Sequence, residues 1–165
     1  MIDVRPMRAE ERERVHALLT EAYRPYAANM VPALFDLYMT ALLKTEEGQA
    51  LVAADGDEIV GAARLYPPGT SPVPLPPGWA WVRGVGVAPS ARRAGVGRAL
   101  MSYSAAHSGD ATALSLHTMD FMPDAVRLYE RLGYQRAPEW DLRVGEASGF
   151  PPEETFMAIA YRLLL

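Results

Sequence analysis

Three arginines and a pair of glycines stand together in Arg92-Arg93-Ala94-Gly95-Val96-Gly97-Arg98, just after an apolar run that ends at Pro89. A helix-forming stretch follows as far as His107. Glycines at a strand-to-helix turn leave main-chain N–H groups uncovered at the positive end of the helix, and this arrangement holds phosphate. A side chain at Gly95 or Gly97 would keep an anion away from the backbone. The chemistry this spacing suggests is the binding of a phosphate-bearing cofactor, with Arg92, Arg93 and Arg98 as cationic partners.

Three phosphate-binding patterns compete for this segment. A P-loop requires Lys followed by Ser or Thr after the last glycine, and here Gly97 is followed by Arg98-Ala99. A dinucleotide-binding fingerprint requires a third small residue three positions after the second glycine, where this chain has Leu100, and it belongs at the first strand-to-helix turn rather than past mid-chain. The third pattern is Arg92-x-x-Gly95-x-Gly97 after a strand ending Val-x-Val-x-Pro. It resembles the acetyl-CoA signature of the GNAT superfamily of N-acyltransferases, Arg/Gln-x-x-Gly-x-Gly/Ala.

A second segment carries the same resemblance. Ala125-Val126-Arg127-Leu128-Tyr129-Glu130-Arg131-Leu132-Gly133-Tyr134 looks like the later motif of that superfamily, a short helix with a tyrosine ahead of a Gly-aromatic stop. Its residues support the same reading independently. Pro123 suits a first helical turn, Ala125, Leu128, Tyr129 and Leu132 form one apolar stripe, and Gly133 is a natural stop. The resemblance spans the chain in layout and is specific from about Trp79 to Tyr134.

The elements that must position these motifs alternate along the chain. Strands are expected at Ile2–Met7, Ala50–Ala54, Glu58–Tyr66, Trp79–Val87, Ala113–Thr118, Tyr134–Val144 and Thr155–Leu164. Helices are expected at Ala9–Ala22, Pro32–Lys44, after Gly97 and after Pro123. Asp55-Gly56-Asp57 reads as a hairpin turn, and the proline-rich stretch Pro67–Gly78 reads as a stiff surface loop. The expected fold class is α/β (α+β) in a single domain over residues 1–165. Its order matches the GNAT fold, a mixed, mostly antiparallel sheet of about seven strands with helices on both faces and a splayed central strand pair.

The resemblance implies how coenzyme A would lie. The pantetheine arm would fill the splay like an added strand, hydrogen-bonded to backbone groups of Val85 and Val87. The diphosphate would rest on amides of Arg93, Ala94, Gly95, Val96, Gly97 and Arg98, and Arg92, Arg93 or Arg98 would meet the 3′-phosphate. Tyr129 stands where the superfamily places the general acid that protonates the departing thiolate, and a main-chain N–H such as that of Val85 would hold the oxyanion. Many relatives carry a glutamate on the strand before the glycine turn, whereas this chain reads Trp81-Val82-Arg83. His117, Asp120 and a chain of waters are the alternatives for the base. His117 suits by its ordinary pKa of ~6.5. Met122 stands where many relatives have asparagine.

The expected activity is transfer of an acetyl group from acetyl-CoA to a primary amine of a small molecule or peptide. A non-catalytic acyl-CoA sensor is the alternative, and a nucleotide-triphosphate protein is a weaker one. Acceptor contacts are expected from Tyr23, Tyr26, Asn29, Met30, the proline loop, Trp140, Asp141 and Phe150, with Glu21 or Asp141 facing a cationic amine. A formal charge of −4 gives no footprint for nucleic acid. The absence of cysteine rules out a thiolate zinc site and an acyl-cysteine route, and no metal is expected. No signal-peptide pattern or membrane span is read, so a cytoplasmic protein is the expectation; self-association into a homodimer stays open.

Overall fold

The computed structural model describes residues 1–44 and 46–165. Strands β1 (Ile2–Pro6), β2 (Gln49–Asp55), β3 (Glu58–Tyr66), β4 (Trp79–Val87), β5 (Ala113–Met119), β6 (Gln135–Arg136), β7 (Leu142–Val144) and β8 (Phe156–Leu164) form one sheet. Helices α1 (Arg12–Tyr23) and α2 (Pro32–Leu42) precede β2, α3 (Val96–Ala106) follows β4, and α4 (Pro123–Arg131) follows β5. The sheet runs β1-β2-β3-β4-β5-β8-β6, and β7 also pairs with β8. Among the described residues only β4 and β5 pair in parallel, because α3 carries the chain across between them.

The pleat separates two cores. Leu51, Leu65, Val82 and Leu116 pack with Val96, Leu100 and Tyr129 of α3 and α4. On the other face Val52, Ala62 and Met119 pack with Val15, Leu19 and Leu42 of α1 and α2. Strand residues one apart therefore belong to opposite layers, as period-two alternation demands.

Two expected elements differ in the structure. The first helix begins with a 3-10 turn at Ala9–Glu11 before α1. The segment 134–144 is not one strand. Pro138, which has no N–H to give a ladder, starts a 3-10 turn over Pro138–Trp140, and the flanks become β6 and β7.

An ion pair anchors the start of α1. The Glu11 carboxylate is buried, accepting two bonds from the Arg5 guanidinium at 2.9 and 2.7 Å and one from the Arg8 N–H at 2.8 Å. The Arg5 hydrogen bond is the main reason its pKa is lowered to about 2. On acidification the unfolded chain takes up this proton first. The pair's stabilisation is therefore present above the unfolded value near 4.5 and fades as pH falls toward 2. Glu11→Gln is expected to cost about 2–3 kcal/mol at pH 7, and clearly less at pH 3, in denaturant titrations.

Candidate functional site

The parallel ladder between β4 and β5 is short. Trp79 to Val82 pair with Ala113 to Leu116, and there the pairing stops. Beyond it Arg83–Val87 stays with β3, and His117–Met119 stays with β8. A bulge drives the separation. Between the Arg64↔Arg83 and Ala62↔Gly86 pairs, β3 contributes Ala63 alone, while β4 contributes Gly84 and Val85. Gly84 takes φ +65, the left-handed conformation such a bulge needs. The result is a wedge with unpaired main chain along β4, opening into a cleft of about 880 Å³.

At one end of the cleft lies the turn from β4 to α3. Gly95 caps α3 with φ +80, and Arg93 adopts φ +65, the only non-glycine residue at positive φ among the described residues. Alternating handedness of this kind turns successive N–H groups toward one point. Among the described residues, no N–H from Arg93 to Arg98 donates to a carbonyl or side chain; the ladder of α3 begins with Ala99 donating to the Gly95 carbonyl at 3.0 Å. A β-carbon at Gly95 would meet nothing within 4 Å, so the concavity is open. Arg92 and Arg93 ahead of Gly95, Arg98 in the first turn of α3 and Arg127 on α4 all line the cleft. Asp124 is the one acid among the described lining residues, and its carboxylate already accepts from Arg127.

Tyr129, on α4, lines the cleft. Its ring is buried beside Tyr134, centroids 5.9 Å apart, and its hydroxyl makes no hydrogen bond among the described residues. Burial, with smaller contributions from Tyr134, Tyr38 and Tyr26, raises its pKa well above that of an ordinary phenol, so it stays protonated at neutral pH. Across the wedge the Tyr23 hydroxyl donates to the Val85 carbonyl at 3.1 Å, which ties α1 to the bulge. Val87 lines the cleft as well.

His117 also lines the cleft, but both ring nitrogens are engaged. Trp81 Nε1–H can only donate, so His117 Nδ1 accepts from it at 3.0 Å. The Trp140 carbonyl can only accept, so His117 Nε2–H donates to it at 2.8 Å. These bonds fix a neutral tautomer, and burial lowers the ring pKa. A proton on Nδ1 would face the Trp81 N–H, donor against donor. Below pH ~6.5 the unfolded chain takes up a proton that the folded ring resists, so this contribution to stability is present above that value and lost as pH falls below it. His117→Leu is expected to cost ~1–3 kcal/mol by leaving the indole N–H unpaired, and His117→Gln, which can accept and donate in the same directions, is expected to cost less; thermal melts at pH 7.5 check both.

The acceptor contacts expected from the sequence are only partly gathered. Tyr23, Tyr26 and the proline loop, through Pro72 and Val73, do line the cleft. Asn29, Met30, Trp140, Phe150 and Glu21 do not. Asp141 is occupied elsewhere, holding both Arg136 nitrogens at 2.8 and 2.9 Å and the Ala160 N–H at 2.7 Å, so it is not a free anion for an amine. Asp120 is exposed and outside the lining. Sequence reasoning missed Tyr38 and Arg83, which do line it; the alternation Trp81-Val82-Arg83 was the available signal, since it puts Arg83 on the same face as Trp81.

Comparison with known proteins agrees with this architecture. A structure from Corynebacterium glutamicum, described as histone acetyltransferase HPA2 and related acetyltransferase, superposes with a TM-score of 0.69 at 23% identity, covering 98% of this chain and 94% of that one. The ribosomal-protein-S18-alanine N-acetyltransferase of Escherichia coli gives 0.65 at 17% identity, covering 99% and 94%. A spermidine N-acetyltransferase chimera from Vibrio cholerae SpeG and hSSAT gives 0.66 at 17% identity, covering 99% and 95%. No curated protein sequence matches the chain. No helix among the described residues is long and apolar enough to cross a membrane. The family match covers residues 12–134, most of the chain and both motifs, and the chain belongs to the acetyltransferase (GNAT) family.

Proposed function

We propose that the protein transfers an acetyl group from acetyl-CoA to a primary amine of a small molecule or peptide. The observation that carries this reading is the loss of β4–β5 pairing after Val82 and Leu116, which leaves a strand-wide slot running from the free amides of Arg93–Arg98 to the Tyr129 side chain. The residues present fit coenzyme A. The amides and Arg92, Arg93 and Arg98 suit its phosphates, and the open edge of β4 at Val85 and Val87 suits the amides of its pantetheine arm. When bound, it supplies the acetyl thioester.

In the proposed step the amine lone pair attacks the thioester carbonyl. The carbonyl oxygen gains the negative charge, which a β4 main-chain N–H such as that of Val85 stabilises. Collapse re-forms the carbonyl and breaks the C–S bond, and the sulfur takes the proton of the Tyr129 hydroxyl. The attacking nitrogen loses its extra proton to water in the cleft, and the tyrosinate is reprotonated from solvent. His117 is a positioning group in this scheme. Its lone pair already holds Trp81, and it fixes the indole that forms part of the wall. Related folds whose names specify an alanine and spermidine as acceptors are consistent with an amine substrate.

One observation favours a second reading, a sensor that binds acyl-CoA without turnover. Among the described lining residues the one carboxylate is Asp124, which already accepts from Arg127, so none is left free to take the amine proton. Free-thiol release from acetyl-CoA across an amine panel separates the two. Thiol release that depends on the amine supports transfer, whereas tight acetyl-CoA binding without release from any amine supports the sensor.

A further inference from the structure

The two ends of the cleft differ in charge and in wall. The α3 end carries several cations around the free amides, as described above. Where the β4–β5 ladder closes, Trp81 and Arg83 stand on β4. The lining also includes Tyr23, Tyr38, Val73 and Leu142, and its remaining cation, Arg131, follows Arg127 by one turn of α4. Arg83 is the first β4 residue beyond the last pair with β5, so it stands at the head of the wedge. Along a strand rising ~3.3 Å per residue it lies on the order of 13 Å from Val87, remote from the phosphate end.

Arg83 is not neutralised. It is half-buried and makes no ion pair or hydrogen bond among the described residues. Its guanidinium carbon sits 5.7 Å from the centroid of the Trp81 ring. Stacking engages the face of a guanidinium and leaves the N–H edges free to fork onto a carboxylate. The platform is itself fixed, because Trp81 donates to His117 and His117 donates to the Trp140 carbonyl. The β3 residue that pairs with Arg83 is a second guanidinium, Arg64, which donates to the Glu47 carbonyl at 2.7 Å. Burial raises the phenol pKa values of Tyr23 and Tyr38, Tyr38 to about 12, while Arg83 pulls both in the other direction, so its positive field reaches the aromatic wall.

We propose that the acceptor is an amine that also bears a carboxylate, as an amino acid does, and that Arg83 is the specificity-determining residue that receives this carboxylate while the amine points toward the thioester. This inference rests on the acetyl-transfer reading above and names its substrate class. A polyamine would bring its second positive charge against Arg83, and Asp124, the one acid among the described lining residues, already accepts from Arg127. A neutral amine would leave a half-buried guanidinium with only the indole as partner.

The test uses matched sets of primary amines: amino acids, their carboxamides, and the amines left when the carboxylate is removed. Thiol release from acetyl-CoA is followed for the wild type, Arg83→Gln and Arg83→Lys, and acetyl-CoA binding to each is measured by calorimetry. The expected result is a kcat/KM for the acids at least ~30-fold above that of their amides. Arg83→Gln should erase the preference mainly through KM for the acceptor, Arg83→Lys should retain part of it, and acetyl-CoA affinity should stay within about threefold in both, a small change on a scale where tenfold is 1.4 kcal/mol. Equal rates for acid and amide, faster rates for the decarboxylated amines, or a preference that survives in Arg83→Gln overturns the inference and leaves acetyl transfer standing. Acetyl-CoA binding with no release from any member overturns both the inference and the transfer reading in favour of the sensor. Failure of the wild type to bind acetyl-CoA overturns the acetyl-CoA reading itself.

Discussion

Gly95→Glu is expected to abolish acetyl-CoA binding, with a loss in affinity of at least about 100-fold, or ~2.7 kcal/mol. Two effects act together. Gly95 holds φ +80, which any L side chain resists at a cost of roughly 1–2 kcal/mol. The new carboxylate would also occupy the concavity formed by the free N–H groups of Arg93–Arg98, satisfying donors meant for a diphosphate and repelling its charge. Gly95→Ala separates the two contributions. A β-carbon there touches nothing within 4 Å, so alanine reports backbone strain alone and should weaken binding by less than about tenfold. Calorimetry on both variants, with circular dichroism to confirm the fold, checks the pair. Full affinity in Gly95→Glu would place the phosphates elsewhere.

Tyr129→Phe is expected to lower kcat by ~10²–10³-fold while KM for acetyl-CoA changes by less than about threefold. Phenylalanine keeps the ring in the core shared by α4 and the sheet, beside Tyr134 and Leu116, so stability should change little. It removes only the proton offered to the leaving sulfur. Burial raises the pKa of this phenol, so the wild type should show no loss of kcat from ionisation of the acid as pH rises through 9. Steady-state kinetics from pH 6 to 9 check both statements. An unchanged kcat in Tyr129→Phe would remove the hydroxyl from the chemistry and leave Tyr129 as a packing residue.

The parts of the site legible in the sequence are those that one local segment encodes. Gly95 and Gly97 after Arg92-Arg93 announce a turn with uncovered amides, and the structure has that turn, with an additional feature, the left-handed Arg93. The α4 stripe of Ala125, Leu128, Tyr129 and Leu132 likewise follows from spacing alone, and α4 presents Tyr129 to the cleft. The parts that were not legible depend on strands far apart in the chain. The role open to Arg83 depends on where pairing with β5 ends, which is set by a bulge against β3. His117 reads as a candidate base when only its residue type is considered. Trp81 and Trp140, 36 and 23 residues away, take up its two nitrogens. Asp141 similarly reads as a free acid until Arg136 and the β8 backbone are folded against it.

The central claim is that main-chain amides at the start of α3 hold the diphosphate of coenzyme A. The most direct measurement is calorimetric titration of the folded protein with coenzyme A and, separately, with pantetheine, which shares the thiol arm and lacks the phosphates. Binding of coenzyme A with Kd on the order of micromolar, and of pantetheine at least about 100-fold weaker, is the predicted result. No heat with coenzyme A, or equal affinity for the two, would contradict it.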